Sequence, residues 1–151
     1  MYKRQIEELL CGKEEAHDAM AQGSMLAGLA FSNTRTTACH SISYPLTMKY
    51  HIPHGVAVSM LLAPVMRLNQ PYIKNRKELF NAFGVESVSE LSEKVTAILE
   101  KSGSPAKLSQ WGAMESDFEE LVAHSMTKGR ADNNPAELTA VNVEEILRSV
   151  F

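Results

Sequence analysis

Three of the chain's five histidines, His40, His51 and His54, fall within the sixteen-residue stretch HSISYPLTMKYHIPHG, together with two of its six prolines. Imidazole is the commonest side-chain metal ligand, and its charge changes near neutral pH. His40 sits among apolar neighbours on a predicted helix, where a histidine reads first as a satisfied core residue. The ligand reading stays open beside it. His54 follows Pro53 and precedes Gly55 at a predicted helix start. Unpaired backbone N–H groups and the positive end of the helix dipole favour anions there, so the position does not by itself favour a cation. The HIPH spacing is a weaker metal signal than HExxH, because Pro53 interrupts the regular i, i+3 face. His17 and His124 fall on amphipathic segments and read as surface or boundary residues. No acidic residue lies between Asp18 and Glu78. A catalytic metal site usually takes three protein ligands, often with a carboxylate among them, so this one reads as half built. Arg35, amid the hydroxyls of SNTRTT, could hold an anion; an ordinary polar loop explains it equally well. GxSxG, P-loop and GxGxxG motifs are absent.

Around these residues almost every segment shows helical period. YKRQIEELL opens amphipathically. EEAHDAMAQGSMLAGLAFSN carries Gly23, Ala27, Gly28 and Ala30, small residues that let another helix approach closely, and it reads as a buried central helix ending at SNTRTT. A second apolar helix covers ACHSISYPLTMKY, with a kink expected at Pro45. HIPHG breaks the pattern, and Pro53 and His54 open the apolar run GVAVSMLLAPVMRLN. NRKELFNAFG, SVSELSEKVTAILEKSG, ESDFEELVAHSMTKG and NVEEILRSVF are amphipathic, several ending at glycine. VSEL and MESDFEEL carry N-cap candidates. ADNNPAEL reads as a loop leading into the last helix, with Pro135 near its first turn. Strand alternation and hairpin turns are missing, so the expected fold is all-α.

The chain has 151 residues, 44% hydrophobic and 22% charged, with a formal net charge of -3 and a pI near 6.0. That length suits one domain, residues 1–151, with its own core. The balance lacks the basic surplus of a nucleic-acid binder. The apolar runs fall short of the roughly 18 residues of a membrane span. The charged start is unlike a signal peptide, and Cys11 and Cys39, without CxxC spacing, read as reduced thiols of a cytoplasmic protein.

The run GSMLAGLAFSNTRTTACHSISYPLTMKYHIPHGVAVSMLLAPVMRLN resembles the iron-containing (group III) alcohol dehydrogenases. In that family a helix carrying AG-AF-N is followed by a histidine, and a -PHG-A- motif comes 54 − 40 = 14 residues later, opening a long apolar helix that ends in P-V-N. NNPAELT is similar to the family's C-terminal NP segment. The resemblance implies the all-helical, metal-binding C-terminal domain of an NAD(P)-linked alcohol dehydrogenase or aldehyde reductase. The family's other domain, an N-terminal α/β unit that binds NAD(P), would lie upstream of Met1. A divalent metal, Fe(II) or in some members Zn(II), sits between the two domains on one Asp and three His. His40 and His54 match the last two ligands, which makes His51 a neighbour of the site.

The resemblance also implies that the metal polarises the substrate carbonyl or alkoxide oxygen while hydride passes to or from the nicotinamide. Many members carry another histidine four residues after the first of these two ligands. Here it is Tyr44, a candidate for the proton-relay position, and a phenol gives up its proton far less readily than an imidazolium. SNTRTT…HSISYPLT is similar to members that reduce phosphonoacetaldehyde-type substrates, which makes Arg35 a candidate for the substrate's anionic end. Dehydroquinate-synthase-like and glycerol-dehydrogenase-like proteins share the architecture, but the AFSN…IPHG wording fits the iron-type branch better. A reading from another class is a non-catalytic helical dimerisation or docking module derived from such an enzyme. Either way the chain alone is expected to lack cofactor binding and turnover, and a bare cleft face predicts a homo-oligomer.

Overall fold

The described residues of this computed structural model, 5–126, 128–129 and 131–151, hold eight α-helices and four short 3-10 turns, with no strand among them. The helices are α1 (Gln5–Leu10), α2 (Ala16–Phe31), α3 (Ala38–Tyr50), α4 (His54–Asn69), α5 (Arg76–Phe83), α6 (Val88–Lys101), α7 (Phe118–Ser125) and α8 (Ala140–Ser149). The all-α expectation holds, and α3 and α4 span the segments in which the sequence placed them.

The core lies where α3 and α4 pack on each other and on α6, α7 and α8. Ile42 and Leu46 of α3, Ala57 and Leu61 of α4, Leu121 of α7, and Val143 and Leu147 of α8 are all essentially sealed from solvent. A second cluster joins the end of α4 to the start of α6 through Ala63, Met66, Val88 and Leu91. Small hydroxyls let α3 and α7 close up: Ser41 Oγ donates to the Ser125 carbonyl, and Ser125 Oγ donates to the Leu121 carbonyl at 2.7 Å. Both of these serine hydroxyls thereby have the partner that burial demands.

The NNPAEL segment is tied to the end of α4 by side-chain amides. Asn69 Nδ2 donates to Asn134 Oδ1 at 2.8 Å, Asn134 Nδ2 donates back to Asn69 Oδ1 at 2.6 Å, and the Ala136 N–H also reaches Asn69 Oδ1 at 3.3 Å. Pro135 belongs to this connection and not to a helix. The last helix starts only at Ala140, where Thr139 caps it: the Asn142 N–H donates to Thr139 Oγ1, and the Thr139 N–H donates to Asn142 Oδ1. The cap of α6 likewise falls earlier than VSEL implied. Ser87 is the N-cap and accepts from the Glu90 N–H at 3.2 Å, with Ser89 already inside the helix.

The expected burial of α2 is not what the fold shows. Only Ala16 is buried, while Met25, Leu29 and Phe31 are more than half exposed. Small residues permit close approach but do not supply a partner. Within this chain α2 packs chiefly on the short α1, and a Cβ built on Gly28 would meet nothing within 4 Å.

Candidate metal centre

α3 and α4 are joined by a connection three residues long, and that brevity positions the histidines. His51 ends α3 in the left-handed conformation, with φ 55° and ψ 26°. The left-handed step turns the chain at a cost any residue with a Cβ pays. Ile52, fully buried, anchors the turn in the core, and Pro53, at φ -52° and ψ 132°, delivers His54 as the first residue of α4. His51 is therefore a structural element of the turn, and its ring is exposed.

His40 and Tyr44 are four residues apart on α3, so they share one face of the helix. His54 comes up against that face. Its ring centroid lies 5.3 Å from that of His40, with the planes inclined at 58°, and 5.8 Å from that of Tyr44. His40 is half-buried, while Tyr44 and His54 are exposed. The fold thus brings together the three residues of the HSISYPLTMKYHIPH stretch that the sequence singled out for chemistry. Arg35 is exposed on the loop between α2 and α3. His17 and His124 are exposed on α2 and α7, as expected.

The two imidazoles suit a shared divalent ion. An imidazole nitrogen binds such an ion at about 2.1 Å, which puts the ion about 3 Å from the ring centroid and two tetrahedrally placed rings about 5 Å apart, centroid to centroid. The donor set is nonetheless short. Among the described residues no group of three or more His, Cys, Asp or Glu side chains could close around a metal. Cys39, next to His40 in sequence, points the other way. It is buried with Sγ 3.8 Å from the Leu61 carbonyl, and burial pushes its thiol up to about 12, so it offers no thiolate. The N-terminus of α4 adds a positive dipole end beside His54, which opposes a cation.

Beside Tyr44 an open groove of about 540 Å³ runs between α3 and α7, floored by Pro45, Met48 and Leu121 and bordered by Lys49, Glu120 and His124. At its edge stands an ionic cluster the sequence did not reveal. Asp117, expected within an N-cap segment, caps nothing at α7; its carboxylate accepts instead from Lys49 Nζ at 2.9 Å, from the Tyr50 hydroxyl at 2.8 Å and from the Met114 N–H at 2.9 Å. Lys49 also pairs with Glu120. These bonds, that from Lys49 foremost, hold the Asp117 carboxyl down at about 2. Burial, then Asp117, pushes the Tyr50 phenol up to about 12. Because the folded pKa of Asp117 is depressed, its stabilising effect is present above the ordinary carboxylate range and is lost as pH falls through that range toward about 2. Acid unfolding followed by circular dichroism is expected to show a shallower decline in stability over that window for Asp117→Asn than for the parent chain.

Comparison with known proteins places the chain in a family. The Fe-containing alcohol dehydrogenase family, C-terminal part, matches residues 4–151. Long-chain-alcohol dehydrogenase 1 of Geobacillus thermodenitrificans is 31% identical over 148 residues, which are 91% of this chain and 38% of that protein. Lactaldehyde reductase of Escherichia coli K12 is 28% identical over 151 residues, covering 94% of this chain and 40% of the enzyme. Among solved structures, sulfoacetaldehyde reductase from Bifidobacterium kashiwanohense in complex with NAD+ superimposes with a TM-score of 0.83 at 27% identity, over 96% of this chain and 40% of that one. The chain thus spans about two fifths of the length of the relatives it matches. No helix among the described residues is long and apolar enough to cross a membrane.

Proposed function

The chain belongs to the Fe-containing alcohol dehydrogenase family, whose C-terminal part it matches, and from that premise we propose that it is the metal-binding helical portion of an NAD(P)-linked alcohol dehydrogenase or aldehyde reductase acting in the cytoplasm. The observation that carries the reading is the approach of His40 and His54 across the α3–α4 turn, with centroids 5.3 Å apart.

In this reading His40 and His54 are two of the ligands, and the remaining ligands and the dinucleotide site belong to a portion outside these 151 residues. When bound, Fe(II) or Zn(II) supplies polarisation of the carbonyl or alkoxide oxygen, and the nicotinamide supplies or accepts the hydride. The chain's own residues orient the partners. Tyr44, with its ring against that of His54, carries a hydroxyl that would donate to a substrate oxygen or relay its proton. The groove beside Tyr44 gives an alcohol or aldehyde a lined approach. Arg35, exposed before α3, meets the anionic end of a phosphonoacetaldehyde-type substrate.

The test is an anaerobic calorimetric titration of the chain with Fe(II) and then Zn(II), followed by an assay for NAD(P)H-dependent aldehyde reduction. The expected result is weak binding that His40→Ala abolishes, and no turnover by the chain alone. Binding indifferent to His40→Ala would remove the metal reading, and robust turnover would show a complete active site within these residues. A second reading, a helical dimerisation or docking module, draws on the exposed apolar residues of α2. A chain that sediments as a monomer at all concentrations would leave the self-association part of it without support.

A further inference from the structure

His51, Ile52 and Pro53 are all that separates the last residue of α3 from His54. Where the last turn of α3 goes, His54 follows. That turn carries Lys49 and Tyr50, and both are held by one carboxylate 67 and 68 residues further along the chain. Asp117 binds Lys49 with one oxygen at 2.9 Å and Tyr50 with the other at 2.8 Å, while the Met114 N–H at 2.9 Å fixes the carboxylate itself. Its side chain is only 14% exposed, so the grip is screened less than an ordinary surface pair. Glu120 adds a second hold on Lys49 from α7. The start of the turn is thus pinned to the segment before α7, and its middle is pinned in the core by Ile52.

We propose that Asp117 is a positioning residue for the metal centre: by clamping Lys49 and Tyr50 it fixes the end of α3 and thereby the placement of His54 against His40. The proposal rests on the metal reading for its purpose, but the clamp itself is a property of the metal-free chain. Partners that hydrogen-bond a metal ligand directly typically contribute about 10–100-fold to affinity, and a residue acting through the backbone is expected at the low end of that range. Asp117 touches neither imidazole and acts only through the backbone it holds. Tyr50 contributes one hydrogen bond of the clamp, so its loss should loosen the turn less than loss of the carboxylate.

The experiment uses the 151-residue chain in its parent form and as Asp117→Asn, Tyr50→Phe and Thr139→Ala, the last removing the cap of α8 far along the chain. Two quantities are read: cross-relaxation between the ring protons of His40 and His54 in the metal-free chain, and the affinity for Co(II) from its visible absorption. In Asp117→Asn the ring-to-ring signal is expected to be lost with helical circular dichroism retained, and Co(II) affinity to fall about tenfold. Tyr50→Phe shows the same changes in weaker form, and it carries the test if Asp117→Asn does not fold. Thr139→Ala lowers stability and leaves both readings alone. A clamp variant that keeps the ring contact and the affinity overturns the proposal, as does Thr139→Ala losing both to the same degree. If Co(II) binding is indifferent to His40→Ala and His54→Ala, the metal reading fails, and the ring contact still decides whether Asp117 positions His54.

Discussion

His54→Ala is expected to lower the affinity of the chain for Fe(II) or Zn(II) by about a hundredfold, with almost no effect on folding. Two imidazoles on one ion act as a chelate: once the first has bound, the second binds within the molecule, a gain of about 10²–10⁴ without any new contact. Removing either ring leaves a single nitrogen, comparable to any surface histidine. The site has little reserve, because among the described residues no third His, Cys, Asp or Glu closes around the ion to offset the positive start of α4. The fold, by contrast, barely uses the His54 ring. It is exposed at the first position of a helix whose core contacts begin at Val56 and Ala57, so the change in stability should stay within about 0.5 kcal/mol. Calorimetric titration paired with urea unfolding separates the two effects. His51→Ala is the informative companion: its ring forms no part of the His40–Tyr44–His54 group, and affinity should survive its loss. Equal weakening by both substitutions would mean that the turn, and not the second nitrogen, carries the binding.

What the sequence made legible here is local. Pro53 restricts Ile52 and favours a fresh helix start, so the His51–His54 break and the opening of α4 could be read directly. The i, i+4 pair His40 and Tyr44 could be placed on one face of α3 from helical period alone. Features that depend on distant partners could not. Nothing in MESDFEEL distinguishes an aspartate that caps α7 from one that reaches back to Lys49 and Tyr50, because the choice is made by tertiary packing. The amide pair of Asn69 and Asn134 spans 65 residues and leaves no periodic trace. Small residues misled for a related reason: in α2 they license a close helix neighbour, yet whether one exists is a matter of which other segments are present. The caps slipped because Ser87 and Ser89 are equivalent by composition, and only the backbone shows that Ser87 is extended while Ser89 is already helical.

The same helix that carries the chemistry carries the core, and Ile42→Ala should show how separable the two are. Ile42 is fully buried, two residues after His40 and two before Tyr44. Residues two apart on a helix point to nearly opposite sides, so its side chain fills the space toward α4 and α7 while the imidazole and phenol face outward. Truncation removes buried methyl groups and leaves a cavity that close-packed neighbours such as Leu46, Leu61 and Leu121 cannot fully collapse into. Measured costs for Ile→Ala in such settings run about 2–5 kcal/mol, and with no solvent exposure to soften the loss about 3–4 kcal/mol is expected here. That is a large share of the roughly 5–15 kcal/mol available to a domain. It should appear as a lower urea midpoint with an unchanged m-value. If the cavity stays on the core side, the folded fraction keeps its His40–His54 spacing, and metal affinity measured well below the urea midpoint is unchanged. Destabilisation accompanied by a tenfold or greater loss of affinity, about 1.4 kcal/mol or more of binding free energy, would show that α3 shifts as a body when its core face is hollowed. The placement of His40 would then depend on Ile42 as directly as on the helix itself.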